Sequence, residues 1–202
     1  MPLARTFDAA HGKIVTTVRD AYLDRLSRWS DIREYLAFLY EQARTRPGCR
    51  VLELGSRRGN STLAFLAAAE ESGGHVWSCD IEDVRRYPDG IGPFGRSPQW
   101  TFTCGDDLDP DVQARLPAGV DVLFVDTSHE YAATLAECRV YVPRVVPGGI
   151  ALFHDTKLTG WPGYEWHRDV PPVRQALDDY CAEAGLSWEE LPGRYGLGII
   201  RP

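Results

Sequence analysis

The stretch VLELGSRRGNS, residues 51 to 61, constrains the fold of this chain more than any other. An apolar run carrying the acid Glu53 breaks at Gly55, three residues intervene before Gly59, and Asn60, Ser61 and Thr62 open an alanine- and leucine-rich helical run. This reads as a buried strand, a tight turn and a helix N-terminus. The two glycines let the backbone pass close to a ligand with no Cβ in the way, and the free N–H groups at the helix start favour a polar or anionic group. A dinucleotide loop would want G-x-G-x-x-G. Here the spacing is Gly, three residues, Gly, with an acid two places before the first glycine, so NAD is disfavoured. A carboxylate under the loop repels a pyrophosphate, whereas it receives a cationic amino group directly or through water.

The rest of the chain repeats the strand-then-helix pattern. Residues 13 to about 46 carry apolar side chains at helical spacing, Ile14, Val18, Tyr22 and Leu26, then Ile32, Leu36, Leu39 and Tyr40. They predict two helices, with Ser30 or Asp31 as the N-cap of the second. Strands follow over 50–54, 75–81, 100–104, 120–126 and 149–154. Helices are expected over about 60–71, after Pro110, over 129–142 and over 171–184. The strands are nearly unbroken apolar runs, which marks a parallel, doubly wound α/β sheet covered on both faces. SWEEL and YGLGIIR, separated by Pro192, Gly193 and Arg194, predict a closing antiparallel hairpin. Residues 84 to 99, rich in proline and glycine, predict an irregular loop.

At 202 residues and 44% apolar content, one domain is expected. With 22 basic against 29 acidic residues, a formal charge of -7 and no basic block, nucleic acid is excluded as an expected partner. The five cysteines are odd in number and form no C-x-x-C pair, and they read as small core hydrophobes in a reducing compartment. No run approaches the roughly 18 apolar residues of a membrane span and no apolar leader opens the chain, so the expectation is a cytoplasmic protein without a membrane partner.

Ligands in such sheets lie at the carboxyl ends of the strands, near the point where strand order reverses. The residues there are Glu53 and Gly55, Asp80, Gly105 and Asp106, Asp126, and His154 with Asp155. Their order, taken with the closing hairpin, resembles the class I S-adenosylmethionine-dependent methyltransferases over residues 45 to 200. The resemblance implies a Rossmann-like, doubly wound, mostly parallel seven-stranded sheet with a C-terminal antiparallel hairpin and two N-terminal helices. It implies a single domain over 1–202, with a helical segment over 1–46 and the core over 47–202. It also implies S-adenosylmethionine as cofactor. Glu53, Gly55 and Gly59 match the first motif, with Ser56, Asn60 and Ser61 in the same loop and helix start. Asp80 matches the acid that grips both ribose hydroxyls, and Ile81 beside it would wall the purine. Asp106 matches the residue near the adenine amino group, and Asp126 completes the cofactor-binding set.

The segment VDTSHEYAATLAECRVYVPRVVPGGIALFHDT resembles, more specifically, small-molecule O-methyltransferases that include antibiotic-sugar enzymes and, more distantly, catechol O-methyltransferase. In that subgroup an Asp ending the fourth strand and an acidic or amide pair ending the fifth hold a divalent cation, and a His three places after the first Asp serves as base. Those positions carry Asp126, His129, His154 and Asp155. The implied roles are His129 as general base, and Asp126, His154 and Asp155 as ligands of magnesium or manganese. One departure stands out: His154 occupies a place where the subgroup offers an oxygen. A nitrogen suits magnesium poorly and favours manganese, iron or zinc. His154 would otherwise bind substrate, orient Asp155 or point under the sheet.

Plainer readings stay open at this level. His129 could face solvent on a helix capped by Thr127 or Ser128. Arg57 and Arg58 could meet the donor carboxylate or be solvated. Trp161, Tyr164, Trp166 and His167 could form an aromatic lid or pack on the last helix. The rival functions are metal-independent methyl transfer to nitrogen or a carboxylate, non-catalytic cofactor binding, and an NAD-dependent dehydrogenase. The expected partner is a small-molecule acceptor, and the two leading helices would either cover the site or pair with a second subunit.

Overall fold

A computed structural model describes residues 17–160 and 169–202, with the backbone of two short strands before them. Those strands, β1 (Thr6–Asp8) and β2 (Lys13–Val15), pair antiparallel. Then come α1 (Val18–Ser27), α2 (Leu36–Arg44), β3 (Arg50–Leu54), α3 (Asn60–Ser72), β4 (His75–Asp80), β5 (Trp100–Cys104) and α4 (Pro110–Gln113). The chain continues through β6 (Val120–Val125), α5 (Tyr131–Tyr141), β7 (Val145–His154), α6 (Pro172–Ala184), β8 (Trp188–Leu191) and β9 (Leu197–Ile200).

The main sheet has the order β5-β4-β3-β6-β7-β9-β8. Its first five strands are parallel, and β9 runs antiparallel to both β7 and β8. The Rossmann-like, doubly wound sheet with its closing hairpin is therefore present as expected. Successive side chains of a strand point to opposite faces, and here the two faces feed two cores. Val51, Val122, Phe124, Ile150 and Leu152 pack with α1, α2 and α3. Leu52, Leu54, Leu123, Val125, Ala151 and Phe153 pack with α5 and α6. The same alternation puts Glu53 on the α3 side with Val51, and His154 on the side of Tyr35 with Leu152.

The strand expected over 149–154 begins earlier, at Val145, and three further differences from expectation have physical reasons. Lys13–Val15 is a strand, and the first helix begins only at Val18. The run IVTTV is β-branched and favours extension, and the Thr17 hydroxyl accepts from Asp20 N as a true cap. Ser30 and Asp31 do not cap α2, which is entered through a 3-10 turn over Arg33–Tyr35. Asp31 is engaged by Arg57 instead. Finally α5 starts at Tyr131 rather than 129, because His129 has φ 58 and lies outside helical space.

All five cysteines are free, and Cys49, Cys79, Cys138 and Cys181 are buried. Cys104 is exposed, contrary to a core role, because β5 is the edge of the sheet. Among the described residues no helix is long and apolar enough to cross a membrane. The aromatic cluster Trp161, Tyr164, Trp166 and His167 lies outside the described residues.

Candidate active site

The chain leaves β3 toward one edge of the sheet and β6 toward the other. The loops after these strands separate and leave a cleft of about 780 Å³ at their carboxyl ends. The two loops touch at its floor. Gly55 has φ +83, and a Cβ there would lie 2.6 Å from the carbonyl carbon of Asp126. Gly55 N donates to Cys79 O at 2.8 Å, and Asp126 N donates to Leu54 O at 2.8 Å. Only glycine meets both demands, so its place is fixed by a neighbouring loop. Gly59, φ +82, precedes α3, and its Cβ would lie 2.5 Å from Ile91 Cβ. It is required by packing against the 84–99 loop and does not line the cleft.

The wall contains Gly55, Ser56, Asn60 and Ser61 from the first loop, and Asp80 and Ile81 from the next. Gly105, Asp106 and Asp126 complete the expected residues that face it. Asp80 Oδ2 accepts from both Ser56 N and Arg57 N at 2.8 Å, and Oδ1 accepts from Glu82 N at 2.9 Å. The acid at the end of β4 thus pins the glycine loop while facing the cleft. Ile81 is 75% exposed, an apolar surface open to a ligand. Asp106 Oδ1 accepts from Leu108 N, closing a local turn.

Glu53 does not line the cleft. It is wholly buried beneath the start of α3. Ser61 donates to Oε1 at 2.6 Å, and Thr62 and Ser78 donate to Oε2 at 2.7 and 2.6 Å. Burial pushes this carboxyl up to about 7 against those three bonds. The expected direct reception of a cationic amino group is corrected to a buried node that ties β3, β4 and α3 together, with Ser61 between it and the cleft.

The carboxyl ends of β6 and β7 bring two acids and two imidazoles together. His129 Nε2 lies 3.0 Å from Asp126 Oδ1 and 2.8 Å from Asp155 Oδ2. His154 Nδ1 lies 3.3 Å from Asp126 Oδ1 and 3.1 Å from Asp155 Oδ2. Burial disfavours charge on each of the four. The opposite charges outweigh it, raising both histidines and lowering both acids relative to their ordinary values. His129 is therefore not a solvated helical residue, and neither Thr127 nor Ser128 caps α5, whose N-cap is Glu130.

Asp126, His154 and Asp155 could hold a divalent cation. One atom each from Asp126, His154 and Asp155 lies within 4.8 Å of the others, and the second oxygen of Asp155 is buried with no partner among the described residues. Two carboxylates with a neutral imidazole nitrogen suit manganese, iron or zinc better than magnesium.

Strain marks the same place. Among the described residues, Arg57, His129 and Asp155 are the non-glycine residues with positive φ, at 45°, 58° and 64°. Each costs roughly 1–2 kcal/mol in this region, and such outliers gather where function over-determines the backbone. Arg57 reaches Asp31 at 2.8 Å, joining the glycine loop to the segment between α1 and α2. That segment, Trp29 to Ile32, forms one wall of the cleft.

Several wall residues went unmarked by the sequence reading. Glu137, on α5, faces the cleft and accepts from the Thr127 hydroxyl at 2.6 Å. Asp107, beside Asp106, also lines it. A signal for Glu137 existed: it is an acid in the otherwise apolar series Leu135, Cys138 and Tyr141. Trp29, 75% exposed on the wall, carried no periodic signal.

A family model described as "Methyltransferase domain" matches residues 52–156. The protein y4gI of Sinorhizobium fredii is 24% identical over 200 residues, which cover 89% of this chain and 20% of that protein's length. Among solved structures, the O-methyltransferase from Bacillus cereus in complex with SAH superposes with a TM-score of 0.66 at 16% identity, covering 93% of this chain and 91% of that one. The methyltransferase PaMTH1 of Podospora anserina, bound to SAH, gives 0.65 at 20% identity, covering 91% and 86%. CalS11, described as a TDP-rhamnose 3'-O-methyltransferase of calicheamicin biosynthesis, gives 0.60 at 20% identity, covering 89% and 78%.

Proposed function

The chain belongs to the methyltransferase-domain family, and on that premise we propose that it moves a methyl group from S-adenosylmethionine to a hydroxyl of a small molecule, with His129 as general base. The observation that carries this reading is the shared position of Asp126. It lines the cleft that would hold the donor, and it contacts both histidines of the acid–imidazole centre. On this reading the methyl donor and the proton-taking group stand on two sides of one residue.

Methyl transfer is an in-line displacement at the sulfonium carbon, so the acceptor oxygen must lose its proton and be held in line. We assign that proton to His129: the Asp126 and Asp155 carboxylates hold its Nε2 and stabilise the imidazolium that results, which leaves Nδ1 of the neutral ring to accept from the substrate. The strained backbone at His129 and Asp155 aims both side chains inward. A divalent cation held by Asp126, His154 and Asp155 would acidify a hydroxyl bound to it and, by neutralising the carboxylates, return His129 toward the range in which it accepts protons. The wall of Trp29 and Ile81 suits an organic acceptor or cofactor with a flat face. A sugar or other natural-product hydroxyl is the acceptor class we favour, by analogy with the nucleotide-sugar enzyme among the structural neighbours. The free cysteines accord with a reducing, cytoplasmic setting.

Calorimetry with S-adenosylhomocysteine tests the donor assignment, and absence of binding at millimolar ligand refutes it. Activity on a panel of hydroxylated acceptors should fall on EDTA treatment and return with manganese. A second reading has its own support, since each imidazole contacts both carboxylates and balances their charge. It is metal-independent transfer to nitrogen or a carboxylate, and activity indifferent to EDTA and to Asp126→Ala would select it.

A further inference from the structure

His154 and Asp155 are consecutive, and successive residues of an extended strand turn to opposite faces of the sheet. Both nonetheless reach the same centre: His154 Nδ1 and Asp155 Oδ2 lie 3.1 Å apart, and each contacts a side chain of the segment after β6. The φ of 64° at Asp155 breaks the alternation and brings its carboxylate round to His129. The left-handed region is disfavoured for a residue with a Cβ, so this turn has to be held by its surroundings.

The closing hairpin holds it. Asp155 N donates to Gly196 O at 3.1 Å and Lys157 N to Tyr195 O at 2.8 Å, which fixes both ends of the turn. Between them Thr156, wholly buried, donates its hydroxyl to Glu190 Oε1 at 2.7 Å. Glu190, on β8, is held in turn by Arg174 of α6, whose Nη2 donates to the same oxygen at 2.6 Å, and by Lys157 Nζ, 3.4 Å from Oε2. Gly196 has φ +80, and a Cβ there would collide with Thr156 Oγ1, so the hydroxyl packs directly on the hairpin backbone. We propose that Glu190 and Thr156 are positioning residues: their bond clamps the segment after β7 onto the hairpin and keeps the Asp155 carboxylate against His129. Neither side chain lines the cleft, so the pair acts through Asp155 and not on the donor. The effect on turnover rests on His129 as general base, whereas the effect on geometry does not.

Thr156→Val replaces the hydroxyl with a methyl of similar shape and removes the bond to Glu190, and Glu190→Ala removes it from the other side. The imidazole signals of His129 in heteronuclear NMR spectra of the full chain report its contact with Asp155, and Asp155→Asn supplies the reference for a lost carboxylate charge. Both variants should move those signals in the direction that Asp155→Asn moves them. Thr156→Ser keeps the hydroxyl donor and should restore the wild-type signals. Turnover should fall about tenfold or more in Thr156→Val and Glu190→Ala, the scale of a small misplacement beside the reacting groups. Affinity for S-adenosylhomocysteine, read by calorimetry, should stay within about threefold of wild type. Unchanged His129 signals in either folded variant overturn the proposal, and so does a loss of donor affinity in step with turnover, which marks general loosening. If Thr156→Val does not fold, Glu190→Ala, at a partly exposed position, decides. Wild type that methylates no acceptor refutes the function proposed above, and the His129 signals then judge the positioning role by themselves.

Discussion

Replacing Gly55 with alanine probes the contact on which the site is built, and Gly185→Ala supplies its control. Gly185 has φ +68 at the C-terminus of α6, and a Cβ there meets nothing within 4 Å. Its substitution carries only the left-handed backbone penalty, about 1 kcal/mol. Gly55 has a similar φ, +83, but its Cβ would lie 2.6 Å from the Asp126 carbonyl carbon, so the two loops must part. Parting them strains the bonds Gly55 N to Cys79 O and Asp126 N to Leu54 O. At about 1 kcal/mol for each bond, added to the backbone term, Gly55→Ala should cost about 3 kcal/mol or more. Urea unfolding at neutral pH measures both variants, and calorimetry with S-adenosylhomocysteine should show donor binding lost only in Gly55→Ala. If the two substitutions cost the same within about 0.5 kcal/mol, the loops are not in rigid contact and the floor of the cleft has been misread.

His129→Ala should lower turnover about 10²-fold or more while leaving S-adenosylhomocysteine affinity near wild type, which steady-state kinetics and calorimetry read separately. Glu53→Leu leaves the Ser61, Thr62 and Ser78 hydroxyls without their acceptor in a buried place. It should cost about 3 kcal/mol or more in urea unfolding, and a smaller loss would show that those hydroxyls find other partners. Glu137 gives a pH signature. Its carboxyl is raised from 4.5 to about 8 by burial and the nearby Asp107 charge, so between those values the folded chain holds a proton that the unfolded chain has released. This contribution to stability therefore falls as pH rises through that window, by up to about 1.4 kcal/mol per pH unit. Glu137→Gln should flatten the melting-temperature profile there, and an unchanged slope would place the titration elsewhere.

The sequence alone determined the layered architecture, because the information was local. Apolar runs with a period of two or none fixed the strands, and Arg50–Leu54 and Trp100–Cys104 fall where their side chains predict. The glycine loop after β3 and the acids at the ends of β4 and β6 were legible for the same reason, since each lies beside a strand whose end is visible. What failed was also local, but it was outcompeted. Ile14 fits a helical series, yet its β-branched neighbours extend the chain. Asp31 fits a cap, yet a distant arginine claims its carboxylate.

Tertiary structure alone decided what each acid does. Glu53 and Asp80 look alike in sequence, each an acid at or near the end of a strand. The parity of β3 sends Glu53 under α3 to three hydroxyls, while Asp80 ends β4 on the cleft wall and holds the glycine loop. Asp126, His129, His154 and Asp155 stand on two segments whose parallel pairing, β6 against β7, brings each imidazole within 2.8 to 3.3 Å of both carboxylates. Glu137, on α5, becomes a wall residue only in the fold, where the Thr127 hydroxyl that follows β6 meets its carboxylate. Strand and helix signals are properties of neighbours along the chain, whereas the partner and burial of a carboxylate depend on segments far away in sequence.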